Sequence, residues 1–198
     1  MAESLANPAP NIAASEAPYF AMLDAVTVPI CLHRGELILF ANAAFEQLCG
    51  LSRAELRQRQ FQDVVTPEFR DSVRQEGEAL MRGAAVPPPR ELSLLAEGGA
   101  KSRQVEATAS RVPINGRRTV MTTYQDITER KRAEEEVQRS EQLMRTVIDS
   151  TPDWIFIKDQ EHRYRLVNQG YANSLHIPVD SFIGKDDLEL GFPEDLVK

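Results

Sequence analysis

The chain has 198 residues, which is enough for one or two domains and excludes a large multidomain catalyst. Hydrophobic residues make up 42% of the chain and charged residues 27%, as in average globular proteins, so a packed core is expected. The formal net charge is −7, from 30 acidic and 23 basic residues. This balance argues against duplex DNA or an anionic membrane surface as a partner.

The cysteine content and the absence of targeting segments predict a cytoplasmic protein. Only Cys31 and Cys49 occur, so a disulfide framework is not expected and a reducing compartment is. The first residues lack both the basic and the apolar region of a secretory signal. No window approaches the ~18 apolar residues of a membrane helix, so no membrane segment is expected.

The first elements in chain order are a short helix and a β-hairpin. Residues 1–17 contain little that could be buried, which predicts a disordered leader. A helical patch begins near Tyr19, and two β runs then flank the turn at Gly35. Asn42 lies where the N-cap of a helix belongs, and Gly50 lies where that helix would end. We therefore expect a short helix directly after the hairpin.

The next part of the chain predicts helices followed by three strands. The clearest helix begins at Pro67, which suits the first helical turn, and ends at Gly83. Asn115-Gly116 is a strong hairpin signal between the last two strands. The three β runs lie at residues 92–94, 105–109 and 119–124. The predicted order is two strands, helices, then three strands.

Residues 127–150 predict one long connecting helix, because this highly charged segment contains no glycine or proline. A sparse apolar stripe follows heptad spacing along it. Its members are Ala133, Val137, Met144 and Val147. This stripe predicts a parallel homodimer in which the helices form a short coiled coil. The alternative is a solvated linker helix without a partner.

The segment after Pro152 repeats the start of the chain. Its two β runs are followed by Asn168 and Tyr171, which match Asn42 and Phe45. One extra residue lies in the second hairpin loop, where length changes are tolerated. Residues 151–198 therefore predict the N-terminal part of a second, truncated copy. We expect this half to be loosely ordered or to pack against a partner chain.

Two sequence motifs resemble the PAS sensory domain family. They are the helix start Asn42-Ala43-Ala44-Phe45 and the junction Tyr124-Gln125-Asp126-Ile127-Thr128-Glu129-Arg130, of which Asp126-Ile127-Thr128 is the most specific part. The resemblance implies an α+β fold, with a five-stranded antiparallel sheet flanked by short helices. It assigns residues 18–126 to a PAS sensory domain, which is followed by the long connecting helix and the partial second PAS copy.

The resemblance also implies a function. PAS modules of this layout form the cytoplasmic input region of bacterial sensor histidine kinases of two-component systems, and they dimerise through the connecting helix. Asp126 and Thr128 would relay the signal to a downstream output domain absent from this chain. The alternatives are the input region of a diguanylate cyclase and a PAS-type protein-interaction module that binds no ligand.

No catalytic residue is predicted within the chain. The three histidines, His33, His162 and His176, all lie outside the long helix, where a kinase phosphoacceptor would be needed. No phosphate-binding glycine loop and no hydrolase or metalloprotease motif is present. A metal site at Cys31, His33 and Cys49 is not expected either, because only three ligands are available. Any enzymatic activity would belong to the parent protein.

Cofactors are judged by comparison with PAS relatives. Haem-binding relatives carry an axial histidine, whereas residues 66–83 contain none, and photoreceptors that bind flavin carry a reactive cysteine that residues 59–63 lack. Neither cofactor is therefore expected. A small apolar ligand between the sheet and the helices is compatible with the sequence, although the same residues form the core of any fold. The candidate lining is Leu32, Phe40, Phe45, Val65, Phe69, Leu92, Val105 and Met121.

Overall fold

The structure is a computed structural model that describes residues 17–96 and 99–193. The chain divides into two compact units, Met1–Lys131 and Arg132–Lys198, which are described separately. The predicted disordered leader lies outside the described residues, except for Ala17. Among the described residues, no helix is both long and apolar enough to cross a membrane.

The first unit contains a five-stranded antiparallel sheet with strand order β2-β1-β5-β4-β3. Its strands are β1 (Ile30–Arg34), β2 (Leu37–Ala41), β3 (Arg90–Ala96), β4 (Lys101–Ile114) and β5 (Arg117–Asp126). Its helices are α1 (Ala17–Asp24), α2 (Ala43–Cys49), α3 (Arg53–Arg57) and α4 (Pro67–Arg82), with a 3-10 turn at Phe61–Val64. The predicted α+β fold, with its five-stranded antiparallel sheet, and the predicted order of the elements along the chain are confirmed.

Local capping residues explain where the short helices begin and end. The Asn42 side chain accepts a hydrogen bond from the amide of Phe45, and Gly50 ends α2 in the left-handed conformation. Pro67 is the first residue of α4, and Gly83 ends it with a φ of 101°. These predicted helix ends are therefore confirmed.

The main core lies between one face of the sheet and helices α2 to α4. Its fully buried members include Cys31, Ile38, Phe45, Leu56, Val64 and Leu94. On the other face of the sheet, the Phe20 ring of α1 stacks on Phe40 with 4.7 Å between the ring centroids. Both faces of the β1–β2 hairpin are thus covered.

Helix α5 (Thr128–Asp149) confirms the predicted long helix to within one residue at each end. Its first turn belongs to the first unit. There, Glu91 of β3 forms ion pairs with Arg130 at 3.4 Å and with Lys131 at 2.5 Å. These contacts attach the first turn of α5 to the first unit, which ends at Lys131; the domain boundary after Asp126 stays a prediction.

The second unit repeats the first hairpin and helix. It contains the rest of α5, then β6 (Phe156–Lys158), β7 (Tyr164–Val167), α6 (Gln169–Leu175) and a 3-10 turn at Val179–Ser181. The predicted extra loop residue is confirmed. The amide of Ile30 bonds to Asn42 at a separation of 12 residues, and that of Ile155 bonds to Asn168 at a separation of 13.

The second unit has a small aromatic core. Tyr164 and Phe182 are fully buried, and the Tyr164 hydroxyl lies 2.7 Å from Oδ1 of Asp187. In the described part of the chain β6 and β7 pair only with each other, and Trp154, Phe156 and Ile157 stay exposed. The predicted loose order of this half stays a prediction.

Candidate functional site

A small cavity lies in the first unit between the sheet and α4. Its volume is about 20 Å³, which is room for about one water molecule. Pockets for drug-sized ligands measure roughly 300–1,000 Å³. The lining combines apolar side chains with a few polar ones, namely His33, Glu76, Arg90, Thr122 and Tyr124. A larger ligand would therefore have to displace part of the lining.

The structure brings only some of the candidate lining residues together at this cavity. Val65 and Leu92 line the cavity. Phe45 and Val105 belong to the main core and Phe69 packs against it, but none of the three lines the cavity. These three positions are core residues.

The structure places Leu32, Phe40 and Met121 on the face of the sheet opposite the cavity. Leu32 pairs with both Phe40 and Met121 across the sheet, so the three side chains share one face. His33, the next residue along β1, lines the cavity on the opposite face. Side chains alternate between the two faces along β1. Because Cys31 and His33 point to one face, Leu32 between them points to the other, and this placement could have been predicted from the sequence.

His33 was not predicted as a site residue. Its ring is 1% exposed and stacks on the ring of Phe61 with 3.6 Å between the centroids. Nδ1 donates a hydrogen bond to the carbonyl of Gly35 at 2.9 Å, which leaves Nε2 unprotonated in the neutral ring. Burial lowers the pKa of His33 to about 4, although the bond to Gly35 opposes this shift.

Helix α4 approaches His33 closely at Gly77. A Cβ atom at Gly77 would lie 3.4 Å from Cε1 of His33, so a larger side chain would press on the ring. The residue before Gly77, Glu76, forms an ion pair with Arg90 at 3.1 Å. Burial raises the pKa of Glu76, and Arg90 opposes that shift. Charged groups thus lie at the same cavity as a neutral histidine.

Tyr124 is one of the polar residues that line the cavity. The side chain is 2% exposed, and its hydroxyl has no hydrogen-bond partner among the described residues. Burial raises the pKa of this hydroxyl, an effect that the neighbouring Thr122 partly opposes. A buried hydroxyl without a partner costs about 1–3 kcal/mol. Tyr124 is therefore the group in this cavity best placed to bind a small polar molecule.

The junction between β5 and α5 is held by a set of hydrogen bonds to β4. The amide of Ile127 donates to the carbonyl of Gln104 at 2.8 Å, and the amide of Gln104 donates to the Thr128 hydroxyl at 3.0 Å. Both groups of Gln104 thus bind the first residues of the connecting helix. The start of α5 is fixed to the sheet.

Asp126 completes this junction. Oδ1 accepts from the amide of Thr128 at 2.9 Å, and Oδ2 accepts from the Arg103 guanidinium at 2.9 Å. Partial burial raises the pKa of Asp126, but the bonds from Thr128 and Arg103 outweigh it and lower the pKa overall. The structure thus brings Asp126 and Thr128 together as expected, and their relay role stays a prediction.

The predicted dimer stripe lies on the exposed surface of α5. Val137, Met144 and Val147 are each more than half exposed, at 58%, 57% and 59%, and Ala133 is exposed as well. Leu143, which lies outside the stripe, is 65% exposed. The stripe is therefore accessible to a partner helix.

The two cysteines are buried and free. Burial raises the pKa of both thiols, that of Cys49 to about 12, so neither is a reactive thiolate. Within residues 17–96 and 99–193, no three potential metal ligands of the His, Cys, Asp or Glu type come together.

Two family models match the chain. A model described as PAS fold matches residues 23–132, and a model described as PAS domain matches residues 142–196. Since the first match covers more than half of the sequence, the chain belongs to the PAS family. The resemblance of the Asp126-Ile127-Thr128 junction to that family is confirmed, together with the second, partial copy.

Curated and solved relatives extend this comparison. The chain is 37% identical over 59 residues to the virulence sensor protein BvgS of Bordetella pertussis, which covers 30% of the chain and 5% of that protein. A PAS domain from Desulfitobacterium hafniense is 18% identical, with a TM-score of 0.47, covering 54% of this chain and 98% of that one. A domain of a sensory box sensor histidine kinase/response regulator from Geobacter sulfurreducens is 19% identical, with a TM-score of 0.45, covering 59% and 98%.

Proposed function

We propose that the chain is the cytoplasmic input region of a bacterial signalling protein. A change in the first PAS copy would pass through the β5–α5 junction into the connecting helix. The observation that carries this proposal is the pair of hydrogen bonds between Gln104 and the residues Ile127 and Thr128, because they couple the inner strand β4 to the start of α5. A displacement of β4 would therefore move the start of the helix.

The output domain belongs to the same proposal. The family resemblance favours a sensor histidine kinase, with a diguanylate cyclase as the alternative. The similarity to a curated protein named a virulence sensor supports a role in sensing. The chain spans only 5% of the length of that relative.

The relay role of Asp126 is tested by Asp126→Ala. The variant loses the bonds to Arg103 and to the Thr128 amide, so we expect a modest loss of about 1 kcal/mol in the free energy of unfolding. The larger effect should be local. Hydrogen exchange of the amides in the first turn of α5, measured by mass spectrometry, should become faster than in the wild type.

Gln125→Ala is the matched control, because Gln125 is an exposed neighbour on the same strand. It should leave exchange in α5 unchanged. If Asp126→Ala leaves the first turn of α5 as protected as the wild type, Asp126 is not part of the relay.

Dimerisation through α5 is the second part of the proposal. The exposed stripe of Val137, Met144 and Val147 would form the seam between two parallel helices. We expect a dimer in analytical ultracentrifugation at micromolar concentrations and a monomer for Val137→Lys, because the seam would bring two lysines together. Leu143→Lys is the control and should stay dimeric. If the wild-type protein is a monomer at these concentrations, the exposed stripe of α5 is not a dimer interface.

A small ligand of the first PAS copy is the third part. The candidate site is the cavity at Tyr124 and His33, and the ligand would supply the hydrogen bond that the Tyr124 hydroxyl lacks. The cavity volume of about 20 Å³ favours a second candidate function, in which the domain binds a protein partner and no ligand. Native mass spectrometry of purified protein separates the two, since only the first predicts a bound molecule.

Tyr124→Phe tests the ligand site. Without ligand we expect the variant to be more stable by about 1 kcal/mol, because a buried hydroxyl without a partner is removed. Thermal melting against a panel of small polar molecules should show stabilisation of the wild type only. Tyr19→Phe, at an exposed tyrosine, is the control. A compound that stabilises wild type and Tyr124→Phe equally would place the ligand elsewhere.

A further inference from the structure

Asn42 joins three elements of the first copy. Its side chain is fully buried, and Oδ1 accepts hydrogen bonds from the amides of Ile30 at 2.8 Å and Phe45 at 3.0 Å. Its Nδ2 donates to three backbone carbonyls at and beyond the end of α1, those of Leu23, Val26 and Val28, at 3.2, 3.0 and 2.8 Å. One amide group thus holds α1, β1 and α2 together.

Asn168 repeats this arrangement in the second copy. It is also fully buried, and Oδ1 accepts from the amides of Ile155 at 3.0 Å and Tyr171 at 2.9 Å. Its Nδ2 donates to the carbonyls of Ile148, Thr151 and Asp153, at 2.9, 3.5 and 2.8 Å. The helix that ends at this amide is α5, the connecting helix.

An aspartate strengthens each joint. Asp24, the last residue of α1, accepts from the amide of Ala43 at 2.8 Å. Asp149, the last residue of α5, accepts from the amide of Gln169 at 2.7 Å. In both copies, therefore, the end of the preceding helix is bonded directly to the first turn of the helix that follows the hairpin.

The two joints differ in one ionic contact. In the first copy, Nη2 of Arg53 lies 2.7 Å from Asp24 and 3.3 Å from Glu46. The offset that relates Asn42 to Asn168 places Val179 opposite Arg53, so Asp149 has no cationic partner among the described residues. The second joint lacks this ion pair, but Nη1 of Arg145 in α5 donates to the carbonyl of Val167 at 3.2 Å, beside the hydrogen bonds of Asn168 and Asp149.

We propose that Asn168 and Asp149 are the positioning residues through which α5 sets the orientation of the β6–β7 hairpin and α6. This inference rests on the proposed relay through α5, and it names the point at which that relay enters the second copy. This joint lacks the ion pair of the first copy, so its polar contacts are the hydrogen bonds of Asn168, Asp149 and Arg145.

The test is a distance measurement within the second unit. Spin labels are placed on α5 at Leu143→Cys and on α6 at Asn173→Cys, both exposed positions, in full-length chain diluted with unlabelled protein. Cys31 and Cys49 are buried and stay unlabelled. Double electron–electron resonance should give one narrow distance for the wild-type background. The Asn168→Ala and Asp149→Ala variants should each lose this narrow distance and give a broad distribution of distances between the two labels.

Phe182→Leu is the matched control, because it loosens the small core, including its packing on Tyr171, but removes none of the hydrogen bonds of the joint. It should keep the narrow distance. Val179→Arg places a cation at the position that corresponds to Arg53. It should narrow the distance distribution in a protein that keeps Asp149, and it should have no effect in the Asp149→Ala variant. The inference is overturned if both alanine variants keep the wild-type distance, or if Phe182→Leu broadens it equally.

A failure of this test is distinguishable from a failure of the proposed function. The distances report the attachment of α5 to the second copy in the absence of any signal. The relay out of the first copy is read separately, by hydrogen exchange in Asp126→Ala.

Discussion

Asn42→Ala should lower the free energy of unfolding of the first unit by about 3–5 kcal/mol. The side chain is 0% exposed and makes five hydrogen bonds, to two amides and three carbonyls. An alanine leaves the buried amides of Ile30 and Phe45 without a partner, and each such group costs about 1–3 kcal/mol; the partly buried carbonyls at the end of α1 add a smaller cost. Partial entry of water keeps the total below the sum of the separate costs. This is the largest loss that we expect from a single polar substitution in this chain.

Urea denaturation followed by circular dichroism measures the loss. Asn42→Asp is the intermediate variant, since it keeps the acceptor oxygen and loses the donor. Asn168→Ala is the matched substitution in the second unit, where the single tryptophan, Trp154, reports unfolding by fluorescence. A loss below about 1 kcal/mol for Asn42→Ala would mean that the orphaned groups find other partners.

Acid should destabilise the first unit through His33. The folded pKa is about 4, against 6.5 for the unfolded chain, so the folded state holds the neutral ring. Between these values the unfolded chain binds a proton that the folded chain does not, and stability therefore falls as the pH falls. The contribution is complete above pH 6.5 and lost near pH 4, and it amounts to roughly 3 kcal/mol.

Comparison with His33→Phe isolates this effect. The phenylalanine keeps a flat ring against Phe61 and removes the titration. Other groups at the cavity, Glu76 with Arg90 and Tyr124, are present in both proteins and cancel in the difference. We expect the free energy of unfolding, measured between pH 7 and pH 4, to fall less in the variant. Parallel curves for the two proteins would show that His33 does not carry the pH dependence.

The order of the elements could be predicted because its signals are local. Asn42, Gly50, Pro67 and Gly83 each fix a helix end through their own backbone geometry or one short-range bond. The Asp126-Ile127-Thr128 junction is equally local. Such residues end or begin a helix regardless of how the rest of the chain packs.

The composition of the cavity could not be predicted in the same way. Leu32, Phe40 and Met121 are as apolar as Val65 and Leu92, and only the side on which α4 packs separates the two groups. That choice is made by tertiary contacts, which hydrophobicity alone does not encode.

The polar members of the cavity were missed for a related reason. His33 and Tyr124 occur within strands that read as ordinary alternating sequence. Their significance comes from burial, which lowers the pKa of His33 and leaves the Tyr124 hydroxyl without a partner. Alternation around Cys31 was the one available signal that His33 faces inward.

The bare edge of β6 has a practical meaning for work with this protein. In the first unit the matching strand, β1, is flanked by β2 and β5, whereas β6 has a neighbour on one side only among the described residues and exposes Phe156 and Ile157. The unpaired backbone groups of such an edge strand form hydrogen bonds with strands of other chains, which promotes aggregation during purification. Dilute, cold handling and a charged replacement at Ile157 are therefore the sensible starting conditions for anyone preparing samples.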